Sequence, residues 1–218
     1  SGYLVVGGGR TLLVDAGSGT LAELQRHVRL EDVDAVVLSH EHPDHWSDLE
    51  GLWVARWHLG LPPLPVYAPP GLRGRVYHSS GPELSWVEVE AGDRVELGGL
   101  SVSFSATDHG PPTLAMRLDC GGASIGYSAD TGPGWSLEAL GPGLDLALCE
   151  ATYTSKEEGS LPHLSARQAG ASARSAGAGE LVLTHRWPTV GADEVFEEGS
   201  EAFGRPVLQA AVGEVYQV

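Results

Sequence analysis

The sequence has few basic residues. Its 218 residues include 13 Lys and Arg against 29 Asp and Glu, which gives a formal net charge of -16, and Lys156 is the only lysine. A chain this acidic repels polyanions such as DNA and tRNA, and it offers no polybasic segment to anionic lipids. We therefore expect neither nucleic acid nor a membrane as a partner.

Long apolar runs are also absent. No stretch approaches the roughly 20 apolar residues of a membrane-spanning helix, and the first residues lack the basic segment and apolar run of a signal peptide. The cysteines, Cys120 and Cys149, lie in apolar strand-like runs, which fit reduced buried thiols at least as well as a disulfide. These features predict a soluble cytoplasmic protein.

No linker, repeat or low-complexity tract divides the sequence. The 30 glycines and 14 prolines are scattered among predicted turns, whereas a linker would concentrate them. A chain of this length can be organised around one hydrophobic core. We therefore expect a single domain over residues 1–218.

The first part of the chain alternates between predicted strands and helices. Residues 3–16 form two aliphatic runs joined by glycines, a pattern typical of a β-hairpin. Thr20 and Glu23 stand at the spacing of a capping box, and Ser47 and Glu50 repeat this spacing after the short apolar strand at 33–39. Both pairs predict the start of a helix.

The rest of the chain repeats this order. Five runs between residues 85 and 131 read as strands, and the apolar run 144–152 precedes a helix whose Ser165 and Gln168 again have capping-box spacing. Two successive rounds of strands followed by helices suggest two sheets with helices outside them. We predict an α/β fold, a four-layer αββα sandwich of two mixed sheets.

Histidine and aspartate are concentrated in one loop. The segment LSHEHPDHWSDLEG, residues 38–51, contains the pattern His-x-His-x-Asp-His, formed by His40, His42, Asp44 and His45. In an extended segment, residues two apart point the same way. His40 and His42 can therefore converge on one ion, while Asp44 and His45 serve a neighbouring ion.

This composition favours a metal site over an ordinary polar loop. Imidazole and carboxylate ligands suit Zn²⁺ or Mn²⁺, and no nearby thiolate indicates a closed structural zinc site. A polar loop at the start of a helix would use Ser, Asp or Asn and has no need of three histidines. We expect the loop to supply ligands to two divalent metal ions.

The motif and its setting resemble the metallo-β-lactamase superfamily, whose fold is the αββα sandwich. The resemblance implies further ligands at the ends of later strands, in the segments SATDHG, GYSADTG and LVLTH. It implies zinc as the first choice of metal, with Mn²⁺ or Fe²⁺ as alternatives. It also implies one ion held by His40, His42 and His109, a second held by Asp44, His45 and His185, and Asp130 between them.

Two further residues resemble the ribonuclease Z-like phosphodiesterase branch of the superfamily. Glu150 ends the predicted strand LALCE, and His163 precedes the helix cap in PHLSARQAG. In that branch a His oriented by a Glu protonates the leaving oxygen, and a carboxylate bonded to one ring nitrogen keeps the imidazolium available as an acid. The alternative is that Glu150 merely ends a strand and His163 is an exposed loop residue.

Two departures from this branch affect the expected substrate. Ribonuclease Z proper carries an extra basic, Gly-rich arm that grips tRNA, whereas the twenty residues between His109 and Asp130 contain no basic cluster. The family also usually begins with another strand before the one that matches SGYLV, so either this chain is trimmed or its first sheet is a strand short. The missing arm and the acidic charge favour a smaller phosphodiester or related ester.

The sequence thus predicts a dinuclear metal-dependent phosphodiesterase with a metal-bridged hydroxide as the nucleophile. Asp44 or Asp130 is expected to orient the hydroxide, and His163, held by Glu150, to protonate the departing alkoxide. A lactonase or thioesterase on the same scaffold is an alternative, although Pro133 stands where lactonases have Tyr. A non-catalytic metal-binding scaffold is a second alternative. Because relatives are commonly dimers, a homodimer is one expected state.

A few other residues complete the predictions. His27, His58 and His78 have no partner pattern in the sequence, and we expect them to be surface or packing residues. Tyr153 closely follows Glu150 in the sequence, which makes it a candidate substrate contact.

Overall fold

A computed structural model describes residues 1–77 and 81–218, so the prediction for His78 lies outside the described residues. The first of two β-sheets contains β1 (Tyr3–Gly7), β2 (Arg10–Val14), β3 (Ala35–Val37), β4 (Leu64–Ala68) and β5 (Leu84–Glu88), in that spatial order. β1 and β2 pair antiparallel, which confirms the predicted hairpin. The remaining neighbours pair in parallel, so the sheet is mixed.

The second sheet is also mixed. Its strands are β6 (Arg94–Leu97), β7 (Leu100–Ala106), β8 (Leu114–Cys120), β9 (Ala123–Tyr127), β10 (Leu146–Glu150), β11 (Glu180–Thr184) and β12 (Leu208–Gln209). The spatial order is β12-β11-β10-β9-β8-β7-β6. Strands β6 to β9 pair antiparallel, and β9 to β12 pair in parallel. The carboxyl ends of β9, β10 and β11 therefore lie at the same edge of the sheet.

Helices cover the outer face of each sheet. They are α1 (Thr20–His27), α2 (Leu49–His58), α3 (Ala166–Ser175) and α4 (Ala192–Phe203). Leu24 of α1 and Leu52 of α2 pack in one cluster with Val36 of the first sheet. Ala169 of α3 and Phe203 of α4 pack in another with side chains of the second sheet. The predicted four-layer αββα sandwich is confirmed.

A further apolar cluster lies between the two sheets. Leu12 and Val37 of the first sheet join Val102, Met116 and Leu146 of the second, and each of these side chains is at most 2% exposed. Burying a side chain of this size contributes roughly 1.5–3 kcal/mol. This cluster therefore holds the sheets together and fixes the strand ends relative to one another.

The capping box predicted at Ser165 is confirmed. Ser165 Oγ accepts a hydrogen bond from Gln168 N (3.1 Å), and Gln168 Oε1 accepts one from Ser165 N (2.9 Å). This reciprocal pair satisfies backbone donors at the start of α3. The helix therefore begins at a fixed point just after His163 in the chain.

The capping boxes predicted at Thr20 and at Ser47 are wrong. α1 begins at Thr20 itself without a side-chain cap, and α2 begins after Asp48. Asp48 Oδ2 instead accepts a hydrogen bond from Leu21 N in the first turn of α1 (2.8 Å). Asp48, which precedes α2 in the chain, thus pairs with a backbone N–H that has no partner within α1. Local sequence spacing does not reveal this contact.

The sequence pattern does not predict β4, α4 or β12. β4 lies in the proline-rich segment 62–70, and proline is unusual inside strands. α4 has acidic residues Asp193 and Glu194 in its first turn and the left-handed Gly204 after its end, and these are ordinary helix signals. β12 contains two residues, which is too short for a periodicity.

Cys149 is buried and Cys120 is half-buried, and both are free thiols. Among residues 1–77 and 81–218, no helix is long and apolar enough to cross a membrane.

Candidate metal centre

The predicted ligands lie together at one edge of the sandwich. His40 and His42 follow β3, His109 follows β7, Asp130 follows β9, and His185 directly follows β11. Side chains at the carboxyl ends of strands converge at the edge where α/β folds place ligands. The structure therefore brings residues from separate loops into one cluster.

Three residues at these strand ends have a left-handed backbone. Within the described ranges, the non-glycine residues with positive φ are Asp15 (57°), Ala129 (51°) and His185 (59°). Such backbone strain costs about 1–3 kcal/mol per residue and concentrates at functional sites. These left-handed residues turn the chain sharply at the ends of β2, β9 and β11. The turns bring Asp15, Asp130 and His185 to the cluster.

The first ligand set contains three histidines and Asp130. Nε2 of His40 and Nε2 of His109 lie 3.1 Å and 3.2 Å from Nδ1 of His42. Asp130 Oδ2 lies 3.6 Å from His40 Nε2 and 4.0 Å from His109 Nε2. Ligand atoms about 2.1 Å from one ion in tetrahedral geometry lie roughly 3.4 Å apart. The spacing of this set therefore fits a single ion.

Asp44, His45 and His185 form the second set. Asp44 Oδ2 lies 3.5 Å from His45 Nε2 and 3.4 Å from His185 Nε2. Asp130 reaches this set as well, because its Oδ1 lies 3.3 Å from His45 Nε2 and its Oδ2 lies 3.4 Å from His185 Nε2. Asp130 therefore lies between the two sets, where a bridging carboxylate is expected.

Two buried atoms of the cluster test whether metal ions fit. His45 Nε2 and Asp130 Oδ1 have no hydrogen-bond partner in the part of the chain that the structure describes. Leaving a buried polar atom unpaired costs free energy, and a divalent cation between these ligands would satisfy both atoms. The donor set of imidazole nitrogens and carboxylate oxygens suits Zn²⁺, Mn²⁺ or Fe²⁺.

Hydrogen bonds behind the ligands determine which ring nitrogen faces the cluster. His45 Nδ1 donates to the buried Asp15 carboxylate (2.7 Å). Ser39 Oγ gives its one hydrogen to Asp15 (2.8 Å) and therefore accepts from His40 Nδ1 (3.0 Å). Nε2 of each ring therefore faces the cluster and is the nitrogen available to a metal ion, which is the arrangement of metal-bound histidines.

The ligands His109 and His185 are oriented in the same way. His109 Nδ1 donates to the backbone carbonyl of Pro162 (3.3 Å). Thr152 Oγ1 donates to Glu150 (2.7 Å) and accepts from His185 Nδ1 (2.9 Å). Nε2 of each ring is thus left to bind an ion.

Asp15 is a site residue that the sequence pattern does not single out. It is fully buried, and its carboxylate accepts hydrogen bonds from Ser39 N (2.7 Å), Ser39 Oγ, His45 Nδ1 and the Tyr127 hydroxyl (2.7 Å). Burial alone would raise the pKa of Asp15, but His45 and these hydrogen bonds hold it below its usual value. The sequence carries one signal for Asp15, which is its position directly after the apolar strand β2.

The buried groups control one another's protonation. Burial lowers the pKa of His40 to about 3, so this ring is neutral. Burial opposes charge on His45 too, but Asp15 and Asp130 override it and raise the pKa of His45 to about 10. Burial alone would raise the pKa of Asp130, whereas the surrounding histidines, led by His45, hold it well below its usual range. Metal binding is therefore expected to displace a proton from His45.

The predicted pair of Glu150 and His163 lies beside both ligand sets. Glu150 is fully buried at the end of β10, and its Oε1 accepts hydrogen bonds from His163 Nδ1 (3.0 Å) and Thr131 N (2.6 Å). The His163 ring lies 5.1 Å from the ring of His109 and 5.4 Å from that of His185. The side chain of His163 is 13% exposed, so it is not a freely exposed loop residue.

The hydroxyl of Tyr153, the candidate substrate contact, is engaged within the fold. Its side chain is 2% exposed, and its hydroxyl donates to the backbone carbonyls of Leu161 (2.9 Å) and His163 (2.7 Å). The phenol is therefore engaged by the backbone of a neighbouring loop. Burial also raises the pKa of Tyr153, so its hydroxyl remains a hydrogen-bond donor at neutral pH.

The segment between His109 and Asp130 contains no inserted arm. It forms β8 and β9, which pair as an antiparallel hairpin. Arg117, the basic residue of this segment, bonds to Asp119 and to backbone carbonyls of the loop after residue 139. Its guanidinium is thus engaged within the fold.

Comparison with known proteins agrees with this geometry. The pattern of the family described as the β-lactamase superfamily domain matches residues 10–186. The Bacillus subtilis protein named "Probable metallo-hydrolase YhfI" is 32% identical over 230 aligned residues, covering 100% of this chain and 92% of the relative. A crystal structure of YhfI superimposes with a TM-score of 0.90 at 30% identity, covering 100% of this chain and 91% of YhfI.

Two further proteins share the architecture. A ribonuclease Z of Mycobacterium bovis is 31% identical to this chain and covers 86% of it, with 80% of the relative aligned. The crystal structure of Zn²⁺-bound PqqB from Methylobacterium extorquens superimposes with a TM-score of 0.80 over 100% of this chain and 87% of PqqB, and at 19% identity it shows the fold alone. The chain therefore belongs to the metallo-β-lactamase superfamily and carries the His and Asp cluster of its metal-dependent hydrolases.

Proposed function

We propose that the protein is a dinuclear metal-dependent phosphodiesterase that acts on a small phosphodiester. The observation that carries this proposal is the Glu150–His163 pair beside the two ligand sets, with Glu150 Oε1 and His163 Nδ1 3.0 Å apart. An alkoxide is a poor leaving group, so its departure is helped by a positioned proton donor. A carboxylate-oriented histidine next to the ligands supplies such a donor.

The cluster itself is suited to an anionic phosphoryl group. His40, His42, His109 and Asp130 would hold one ion, and Asp44, His45 and His185 the other. When bound, divalent cations polarise phosphoryl oxygens and make a water molecule acidic enough to attack at neutral pH. Asp44 is the exposed carboxylate of the cluster, with 60% of its side chain accessible. Interaction with His185, whose Nε2 lies 3.4 Å from Asp44 Oδ2, holds the pKa of Asp44 well below its usual value, so the ionised carboxylate can accept a hydrogen bond from the attacking water.

His163 completes the reaction on the leaving-group side. Glu150 accepts the hydrogen bond from Nδ1 of His163, so Nε2 is the nitrogen that donates a proton to the leaving group. Burial lowers the pKa of His163, but the hydrogen bond and charge of Glu150 outweigh this and raise it. The imidazolium therefore persists to higher pH than that of a histidine without such a partner. As the P–O bond breaks, the Nε2 proton passes to the departing alkoxide oxygen.

The acidity of the chain supports a small substrate. With a net charge of -16 and one lysine, the surface repels a long polyanion, and the segment between β7 and β9 adds no basic arm. The name of the Mycobacterium relative, ribonuclease Z, supports phosphodiester chemistry on this scaffold, since RNA is itself a phosphodiester. A small diester combines that chemistry with the charge of this chain.

The test is hydrolysis of bis(p-nitrophenyl) phosphate by the zinc- or manganese-loaded protein, with a chelated sample as control. We expect turnover that is lost on chelation and restored by metal. The same preparation is tested on a lactone and a thioester. Turnover of either of these without any phosphodiester turnover would contradict the proposal. Two bound ions without turnover of any ester would point to a metal-binding scaffold.

A further inference from the structure

The turn that carries His163 is exposed and short. Residues 159–162 are exposed, and Leu161 is 41% accessible. His163 N donates to the carbonyl of Leu161 (2.9 Å), which closes a three-residue γ-turn around Pro162. A segment with so little buried surface has few packing contacts to fix it, so its position depends on specific hydrogen bonds.

The phenol of Tyr153 supplies two of those hydrogen bonds. Its one hydroxyl hydrogen is shared between the carbonyls of Leu161 (2.9 Å) and His163 (2.7 Å), a three-centre bond that ties both ends of the turn. Tyr153 is itself fixed, because its carbonyl accepts a hydrogen bond from Ala166 N (2.9 Å) at the start of α3. The turn is thus attached to a rigid, buried base.

The same turn orients two functional groups. The side chain of His163 meets Glu150 on one side. The carbonyl of Pro162, in the middle of the turn, accepts the hydrogen bond from Nδ1 of the ligand His109 (3.3 Å). A shift of the turn would therefore move the proton donor and release the outer nitrogen of a ligand together.

We propose that Tyr153 is a positioning residue that holds the turn of Leu161–His163, and through it aligns His163 with the leaving oxygen and His109 with its ion. Tyr153 acts through its hydrogen bonds to this turn and to α3, and not as a metal ligand. The part of the proposal that concerns His163 rests on the proposed function. The part that concerns His109 is independent of the substrate.

The test is Tyr153→Phe in the full chain, which keeps the buried ring and removes the hydroxyl. Turnover of methyl phenyl phosphate should fall about tenfold to a hundredfold, the effect of misplacing a catalytic group by about 1 Å. Turnover of methyl p-nitrophenyl phosphate should change less than about threefold, since its leaving group needs little protonation. The loss should lie in kcat with KM unchanged. The affinity for one of the two zinc ions should fall by about tenfold.

Tyr216→Phe is the matched control. Its hydroxyl also donates to a backbone carbonyl, that of Gln209 (3.3 Å), and it is half-buried away from the His163 turn. This variant should leave leaving-group selectivity and zinc affinity unchanged.

The possible results separate this inference from the proposed function. If the wild-type protein hydrolyses neither diester, the proposed function fails, and zinc affinity and the imidazole NMR signals of His109 and His163 still decide the role of Tyr153. Unchanged zinc affinity, leaving-group selectivity and imidazole signals in Tyr153→Phe would overturn the positioning role of Tyr153. Equal loss on both diesters, together with a lower unfolding temperature, would overturn it as well, because that pattern indicates a merely structural role.

Discussion

The loop that holds the predicted metal ligands and the turn that carries His163, the proposed proton donor, are built differently. His40 and His45 are 0% exposed, and Ser39 and Asp15 connect them to the ends of β2 and β3. The turn around Pro162 is exposed and attached through Glu150 and the phenol of Tyr153. The ligands therefore have a preformed frame, whereas the donor depends on a few hydrogen bonds. Changes in the frame should have the larger effects.

The largest effect is expected from Asp130→Asn. Asp130 contacts both ligand sets, so losing its charge should weaken both metal positions and lower phosphodiester turnover by roughly a thousandfold, the effect of several kcal/mol. Elemental analysis after gel filtration measures the zinc, and initial rates measure the turnover. Asp34→Asn is the control, because Asp34 bonds to Arg10 and Thr11 N. An Asp130→Asn protein with two zinc ions and full turnover would contradict the assignment.

A smaller effect is expected from Asp15→Asn, which alters the frame without touching an ion. The variant loses the charge that orients His45 through Nδ1, so the affinity for the ion at His45 should fall about 10–100-fold. Competition with a chromophoric chelator gives this affinity, and the ion at His40 and His42, which Asp15 reaches only through Ser39, should weaken less. Equal weakening of both ions would show that Asp15 stabilises the whole loop and not one ligand.

The smallest effect is expected on the pH dependence that His163 gives to the hydrolysis rate. If His163 donates the leaving-group proton as proposed, the rate of methyl phenyl phosphate hydrolysis should fall as pH rises through the pKa of His163. Glu150 raises this pKa. Glu150→Gln should therefore move the falling limb to lower pH. Hydrolysis of methyl p-nitrophenyl phosphate should show no such fall in rate. A fall that occurs at the same pH in Glu150→Gln as in the wild type would count against the Glu150–His163 coupling.

The parts of this frame that were predictable are local in sequence. His40, His42, Asp44 and His45 lie within one loop, and strand periodicity locates the segments whose ends carry the later ligands. Family resemblance then identifies which residue at each end is expected. Sequence order and side-chain alternation were sufficient for the four layers.

The parts that were not predictable depend on contacts between distant residues. Asp15 meets Ser39 across 24 positions and Tyr127 across 112, and no local pattern marks those partners. The phenol of Tyr153 binds carbonyls that approach it only because the loop before α3 folds back. The failed capping box at Thr20 has the same cause, since Asp48 reaches α1 from another segment, and at Ser47 the expected partner Glu50 instead accepts a hydrogen bond from Tyr77 N. Tertiary contacts outweighed local spacing in each case.

The central claim is that His163 donates a proton to the leaving group beside a dinuclear site. Its most direct test compares methyl phenyl phosphate with methyl p-nitrophenyl phosphate in the zinc-loaded wild type and in His163→Asn, with His58→Asn as the control. We predict that His163→Asn loses about 10²–10⁴-fold on the phenyl ester and less than about tenfold on the p-nitrophenyl ester. Equal losses on the two esters would contradict the claim.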